Sequence, residues 1–233
     1  RSLLYLFLVG FYSIAGGQDS ENLSPELDTV FHHNLRVFLD PNVRQINVEN
    51  VITIPENYEA SSLQFELNSN LTITDASVDV SRLANLGSNS IDASDTTGTA
   101  DASTSIYSIE NNSRSREIRI VYDGSIYDLA EQDSEEYAQS FSETTGIIDE
   151  LGVYLNYASA WVPLFGDSLI TFEMEVEFAD TASQWKAVSQ GDRNGENGWR
   201  SDDPMEEIYL IAAEFTEYSV RADDIEVLAY LRT

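Results

Sequence analysis

The chain has 233 residues and no cysteine, and its 41 acidic residues against 12 basic residues give a formal net charge of −29. The lack of thiols excludes disulfide bonds, thiolate zinc sites and cysteine nucleophiles. A negative charge of this size repels phosphate, which argues against nucleic acid and anionic lipid as partners. The length and the 42% hydrophobic content fit one globular domain.

The first 28 residues are predicted to lie outside the folded domain. Residues 1–17 begin with Arg1, continue with an apolar run and end in small residues, which is typical of a secretory signal peptide. The run is shorter than the roughly 20 residues that a spanning helix needs, so no stable membrane span is expected. A buried first strand is the alternative. Residues 18–28 are predicted to be a flexible polar leader, and we expect export to the periplasm or the extracellular space.

Residues 29–233 are predicted to form one β-domain. Ile46, Val48 and Ile52 are separated by even numbers of residues, so they share one face of a strand. Similar patterns, rich in β-forming residues and separated by turn signals, recur along the first half of the domain. They predict strands at 30–39, 44–54, 63–67, 71–73, 78–80, 105–109 and 117–122.

Two segments lack the strand pattern. Residues 87–105 are rich in Ser, Asp, Thr and Ala, which predicts an exposed loop or hairpin tip. Residues 128–141 form the only plausible helix, but their apolar content is low, so we interpret them as a long polar insertion with a helical turn or two.

The last third of the chain returns to strands. In Leu169–Phe178, apolar residues alternate with threonine and glutamate, which predicts a half-buried strand with its acids facing water. A hairpin loop is predicted at 191–198, and strands at 208–215 and 225–231 close the chain. Many strands separated by turns, with almost no helix, predict an all-β antiparallel β-sandwich.

The side chains offer no catalytic machinery. His32 and His33 are the only histidines, and adjacent residues on a strand point to opposite faces, so they cannot bind one ion together. The sequence contains no His-Glu-x-x-His zinc motif, no Gly-x-Ser-x-Gly elbow and no glycine loop for phosphate. We therefore predict no catalytic residue and no metal ligand in this chain.

Two features could indicate a binding module. The loop Asp192–Gly198 alternates oxygen-bearing side chains as a calcium loop does, but its glycine is seventh rather than sixth and no flanking helices are predicted, so a polar turn is favoured. Trp161, Trp185 and Trp199 could stack on a sugar, although their apolar neighbours favour packing in the core.

Four stretches, in this order, resemble the N-terminal β-domain of the aminopeptidase N-type zinc metallopeptidases, the family that includes leukotriene hydrolase. The order and spacing of the stretches support the resemblance more than any single motif. They are Phe31–Asp40, the aromatic and proline-containing turn Trp161–Asp167, the strand Leu169–Phe178 followed by Ala187–Gly191, and Pro204–Phe215.

The resemblance implies a saddle-like sandwich that leans on a thermolysin-like catalytic domain farther along the same polypeptide. In the family, that domain supplies the zinc ligands, the glutamate base and most of the site for the α-amine of a peptide substrate. Zinc would then belong to the full-length enzyme, and this chain alone would be inactive.

In family members, one glutamine from the segment before the aromatic turn of this domain often also contributes to the α-amine site. Here Asn156 is the nearest equivalent, so Asn156 and the adjacent Tyr157 are the predicted substrate-binding residues; an ordinary strand-end role for Asn156 stays open.

Two hypotheses follow. In the first, the chain is the non-catalytic N-terminal domain of an exported zinc aminopeptidase-like enzyme. In the second, it is a free-standing secreted β-sandwich that binds glycan or calcium. An exposed apolar patch would favour the first, because a docking surface separated from its partner stays apolar.

Overall fold

The computed structural model describes residues 29–86, 103–128, 144–223 and 225–232. The predicted signal peptide at 1–17 and leader at 18–28 lie outside the described residues. So do most of the loop predicted at 87–105 and of the insertion predicted at 128–141.

The described residues are organised almost entirely as strands. The only other regular elements among them are three short 3-10 turns, at Pro41–Val43, Tyr157–Ser159 and Asp180–Ala182, so the predicted all-β fold is confirmed. The same part of the chain contains no helix that is both long and apolar enough to cross a membrane. The strands are β1 (Val30–Asp40), β2 (Gln45–Thr53), β3 (Ser62–Asn68), β4 (Leu71–Ala76), β5 (Asp79–Leu86), β6 (Thr104–Glu110), β7 (Glu117–Gly124), β8 (Ile147–Asp149), β9 (Gly152–Leu155), β10 (Leu169–Phe178), β11 (Lys186–Val188), β12 (Asp192–Arg193), β13 (Gly198–Met205), β14 (Leu210–Ala213), β15 (Phe215–Ala222) and β16 (Ile225–Arg232).

The strands form four sheets. The largest has seven strands in the order β12-β13-β10-β1-β2-β7-β4, and the others are β11-β14-β9-β8, β3-β6-β5 and the hairpin β15-β16. Neighbouring strands are antiparallel except for β1 and β10, which pair in parallel from Val30 with Leu169 to Leu39 with Phe178. The predicted antiparallel sandwich therefore has one parallel pair near its centre. A parallel pair needs a long connection, and here the connection includes β2 to β9.

One face of the seven-stranded sheet forms the floor of the core. On β1, Leu35, Val37 and Leu39 are buried, and the residues between them are exposed. The aromatic ring of Phe165 stacks on that of Phe31 with centroids 4.2 Å apart, and it lies 5.6 Å from the ring of Phe65 on β3. The loop before β10 thus connects the seven-stranded and three-stranded sheets through aromatic packing.

The strand predicted at 208–215 is two strands in the structure. β14 ends at Ala213 and pairs with β9 and β11, whereas β15 begins at Phe215 and pairs with β16. Ala212 and Ala213 are both buried, so the alternation of a single strand is interrupted there. Only Glu214 lies between β14 and β15. Sequence periodicity does not reveal this break, because the two strands differ in the strands with which they pair.

Candidate functional site

Asn156 lies just after β9 and caps the 3-10 turn at Tyr157–Ser159. Its Oδ1 accepts a hydrogen bond from the backbone N–H of Ser159 at 3.3 Å, and the Ser159 hydroxyl accepts one from the backbone N–H of Asn156 at 3.1 Å. The Asn156 Nδ2 donates to the hydroxyl of Tyr154 at 3.3 Å. Asn156 therefore has a structural role as a reciprocal cap, and its contact with substrate stays a prediction.

Tyr157 lies on the rim of an open cavity. Its side chain is about half exposed and lines a volume of about 360 Å³. The other lining residues come from the loop before β10 and from the segment before β14: Gly166, Asp167, Ser168, Leu169, Glu206 and Glu207.

Glu207 is held in place at this rim. Its Oε2 accepts a hydrogen bond from the backbone N–H of Tyr157 at 2.8 Å. A hydrogen bond to Glu207, together with its negative charge, raises the pKa of the Tyr209 hydroxyl. The Gln190 side chain donates to the backbone carbonyl of Glu207 and accepts from the backbone N–H of Tyr209 at 2.8 Å. The carboxylate thus has a defined position beside Tyr157.

The cavity is the meeting point of three stretches that resemble the zinc metallopeptidases. Asp167 belongs to the aromatic turn and Glu207 to the stretch Pro204–Phe215, and Gln190, from the stretch after β10, bonds to the backbone of Glu207. Sequence reasoning singled out these stretches but gave no role to the three residues, because their convergence depends on the fold.

The lining favours a cation. Three of its seven residues are the acids Asp167, Glu206 and Glu207, and none of the seven is basic. Carboxylates around a partly enclosed volume attract ammonium groups and repel anions. The cavity rim therefore suits an amine more than a carboxylate.

The described residues do not fit a zinc ion. His33 is fully buried, whereas the ring Nδ1 of His32 lies 3.0 Å from the Thr171 hydroxyl, so the two imidazoles are on opposite faces of β1 as predicted. Within the described ranges, no three histidine, aspartate or glutamate side chains come together as a metal site. We therefore derive no metal-dependent step from these residues.

The loop that resembles a calcium site is a hairpin turn. The Asn194 amide donates to Glu173 at 2.8 Å, and the Glu196 carboxylate pairs with the Lys186 ammonium. The Asn197 Oδ1 accepts from the backbone N–H of Ala187 at 3.0 Å. The Glu196 and Asn197 side-chain oxygens are therefore engaged by donors of the protein, and the Asn194 amide is turned toward a carboxylate.

The three tryptophans pack in the interior, as favoured from the sequence. Trp161 is fully buried, and Trp185 and Trp199 are at most 9% exposed. The indole N–H of Trp161 donates to the carbonyl of Ile208 at 2.9 Å, and that of Trp199 donates to Ala187 at 3.0 Å. These rings do not form a sugar-stacking face.

An uncharged row crosses the outer face of the four-stranded sheet. Each of its side chains pairs directly with the next across neighbouring strands. Ile211 is exposed, whereas the others are partly buried, and Val188 also packs against the core. We call it the sheet row; its members are Val188, Ile211, Tyr154 and Ile147.

One face of the β15-β16 hairpin contacts the body of the domain. Glu217 is only partly exposed and pairs with Arg193 of the body at 2.7 Å, and Leu228 on the same face packs against the core. The opposite face is exposed and contains no charged residue. We call it the hairpin face; it consists of Thr216, Tyr218, Val220, Val227, Ala229 and Leu231. The solvent-exposed face of a strand pair is normally polar, so this uncharged and largely apolar outer face is unusual.

No protein-family profile matches the sequence, and no curated protein sequence matches it. Solved structures do match the fold. A single-residue variant of the M1 zinc metallopeptidase from Deinococcus radiodurans aligns with 86% of this chain at 12% identity and a TM-score of 0.53. Yeast LTA4 hydrolase in complex with bestatin aligns with 84% at 15% identity and a TM-score of 0.51.

The matches extend over part of those proteins only. They cover 46% of the Deinococcus chain and 32% of the yeast chain, so this chain spans less than half the length of the solved proteins that it resembles. At such low identity, a structural match shows a shared fold. The chain has the all-β fold that M1 zinc metallopeptidases and LTA4 hydrolase contain within their longer chains.

Proposed function

We propose that this chain is the non-catalytic N-terminal domain of an exported zinc aminopeptidase-like metallopeptidase. Its role is to dock onto a catalytic domain farther along the same polypeptide and to cap that domain's cleft. The observation on which the proposal depends is the fold match, which covers most of this chain and less than half of a zinc metallopeptidase. The zinc ion and the hydrolytic residues are then supplied by the catalytic domain.

The two uncharged surfaces support docking. The sheet row and the hairpin face leave Ile211, Tyr218, Val220 and Val227 exposed in a chain whose net charge is −29. A second copy of the chain would bring the same large negative charge, which opposes self-association. A domain of the same polypeptide is held nearby by the chain itself, so it can cover these surfaces without that penalty.

The acidic cavity supports a peptide amine as the ligand at the capped cleft. Glu207 is fixed beside Tyr157, and the volume between them attracts a positive group. Tyr157 and Asn156 then line the amine end of the substrate, with Asn156 acting through the turn that it caps. The export signal proposed at residues 1–17 would place the enzyme outside the cytoplasm.

The first experiment is to read the coding sequence in frame beyond Thr233. The proposal expects a His-Glu-x-x-His motif followed by a second glutamate, as the fold relatives' zinc chemistry requires. The full polypeptide should then bind zinc and release N-terminal residues from peptides. A stop codon directly after Thr233, or a continuation with no zinc motif, would refute the proposal.

Docking is tested with a paired substitution on the hairpin face, Val220→Glu together with Val227→Lys. The two positions are cross-strand partners, so the new opposite charges can pair and leave the hairpin intact. In this chain alone, the variant should keep its free energy of unfolding within about 0.5 kcal/mol, because both positions are exposed. In the full polypeptide, it should lower peptidase activity and separate one unfolding transition into two.

The matched control is Leu228→Lys, on the opposite face of the same strand. Leu228 packs against the core, so this substitution should destabilise this chain by itself. If the paired variant leaves the full polypeptide's activity and unfolding unchanged, the hairpin face is not a docking surface.

A further inference from the structure

The core of the seven-stranded sheet contains a diagonal of polar side chains in a mostly apolar face. It begins at His33 on β1, continues to Asn50 on β2 and ends at Tyr122 on β7. All three residues are fully buried. A buried polar group is costly unless it is hydrogen-bonded, so this diagonal needs a physical reason.

The diagonal has one internal hydrogen bond and several unsatisfied atoms. The Asn50 Nδ2 lies 2.9 Å from the His33 Nδ1. Because an amide nitrogen donates, Nδ1 is the acceptor, and the neutral imidazole has its hydrogen on Nε2. The His33 Nε2 and the Asn50 Oδ1 have no hydrogen-bond partner, and the Asn50 amide approaches the Tyr122 hydroxyl without completing a bond.

A proton on His33 has no acceptor in this arrangement. It would add to Nδ1, the atom that faces the amide N–H of Asn50, and two donors would then oppose each other. Burial and the charge of His32 on the other face of β1 lower the pKa of His33 to about 3. The folded protein therefore holds this imidazole neutral.

No counter-charge lies on the inward face around His33. Among the described residues of that face, Tyr122 is the only titratable group besides His33, and burial raises the pKa of its hydroxyl. The adjacent loop contributes the ring of Phe165. The inward neighbours from the flanking strands are Ile52, Asn50, Ile120, Tyr122, Phe172 and Met174.

His33 is packed against the loop that forms the cavity rim. The centroid of its ring lies 6.3 Å from that of Phe165, with the two planes tilted by 53°. Gly166, Asp167 and Ser168 follow Phe165 directly and line the acidic cavity. Displacement of the imidazole would therefore disturb the packing that holds this rim.

We propose that His33 is an acid-sensitive element: its imidazole can take up a proton only when the contact with Asn50 is broken and the Phe165 loop is loosened together with the cavity rim. The closed form excludes the proton, so opening of the rim is rare near neutral pH and becomes more frequent as the pH falls below 6.5, where the opened imidazole binds a proton. The device requires only this chain and is independent of the proposed catalytic partner.

The direction in which stability changes with pH follows from the difference in proton binding by His33 between the unfolded and folded states. An unfolded histidine with the ordinary pKa of 6.5 binds a proton as the pH falls, while His33 in the folded state does not. Stability is therefore complete above pH 6.5 and is lost progressively below it. Between pH 7 and pH 5, His33 alone should raise the unfolding equilibrium constant by about 25-fold. This window lies above the range in which carboxylates such as Glu49 titrate.

The experiment compares the chain with its His33→Gln variant from pH 7 to pH 5, with His32→Gln as the matched control. Urea unfolding should show a steep loss of stability in the wild type and in the control, and a shallow one in His33→Gln. Hydrogen exchange, corrected for the intrinsic rate at each pH, should show the same difference at the amides of Leu164 and Leu169, which donate to Glu66 and Thr29. If the free energy of unfolding fell equally with pH in all three proteins, the proposal would be overturned.

A second measurement keeps the test independent of the variant's folding. The chain has only two histidines, so the imidazole nitrogen spectrum of the wild type is simple, and His32→Gln assigns it. The His33 signals should keep the neutral form, with the hydrogen on Nε2, well below pH 6.5 while the protein stays folded. A midpoint near 6.5 in the folded protein, or a hydrogen on Nδ1, would also overturn the proposal.

Discussion

At the residue scale, two adjacent residues of the same type lie in quite different surroundings. His32 and His33 are adjacent, yet one bonds to Thr171 near the surface and the other is sealed in the core. Strand alternation predicts that they face opposite ways. It does not predict which one is buried or that Asn50 is its partner, since that depends on how β1 and β2 align.

Asn156 is where a structural role and a substrate role can be separated. Asn156→Ala removes the cap of the turn at Tyr157–Ser159 and should lower the free energy of unfolding by about 1 kcal/mol. Asn156→Ser keeps a capping oxygen without adding charge, so its stability should stay close to that of the wild type. Urea unfolding of both variants checks this prediction. An Asn156→Ala variant as stable as the wild type would show that the cap contributes nothing.

The same pair also tests the substrate role in the full polypeptide. If the amide of Asn156 contacts the substrate, Asn156→Ser should lower kcat/KM although it keeps the fold. If only the cap matters, Asn156→Ser should be as active as the wild type, and Asn156→Ala should be impaired.

At the scale of elements, sequence periodicity located most strands but not their partners. Leu169–Phe178 has the bounds that its alternation predicts, because one of its faces is buried along its whole length. Its parallel pairing with β1 does not follow from local pattern, since the two strands are joined only by the global topology. The acidic cavity escaped prediction for the same reason: Asp167 and Glu207 line it from two separate connections, and Gln190 holds the backbone of Glu207 from a third.

Alanine substitutions at two glycines in the β12-β13 region distinguish the effect of a steric clash on stability from the effect of backbone strain. Gly191 and Gly195 both have positive φ, at 83° and 95°. A Cβ at Gly191 would lie 2.1 Å from the carbonyl oxygen of Arg200, whereas at Gly195 nothing lies within 4 Å. Both alanine variants bear the strain of positive φ. Gly191→Ala should be less stable than Gly195→Ala by more than about 1 kcal/mol, because its β-strand neighbour must move.

Thermal and urea unfolding of the two variants checks this comparison. Equal losses of stability would mean that the backbone near Arg200 yields easily, and the tight packing of β13 against Gly191 would then be of no energetic consequence.

At the scale of the whole molecule, charge is the dominant feature. The net charge of −29 makes the folded state repel itself, and the ion pairs that offset it, such as Arg119 with Glu49 and with Asp75, lie near the surface. Exposed pairs contribute little to stability, so screening should relieve more repulsion than it removes attraction.

We therefore expect salt to stabilise the protein. Raising sodium chloride from roughly 0.05 to 0.5 M shortens the screening length and should raise the midpoint of urea unfolding. Chloride is the appropriate anion, because sulfate stabilises proteins by exclusion from their surface as well. A midpoint that falls with chloride would mean that the ion pairs outweigh the general repulsion.

The parallel pairing of β1 with β10 has a consequence for how the protein is made. The hydrogen bond between His32 and Thr171 joins residues 139 positions apart, so the largest sheet cannot close until the ribosome has synthesised β10. Until then, one edge of β1 is unpaired, and such an edge can pair with other chains. Structures dominated by distant pairings also fold slowly. A nascent chain of this kind would therefore spend a long interval exposed to aggregation, and its high charge would help to keep it apart from its neighbours during synthesis.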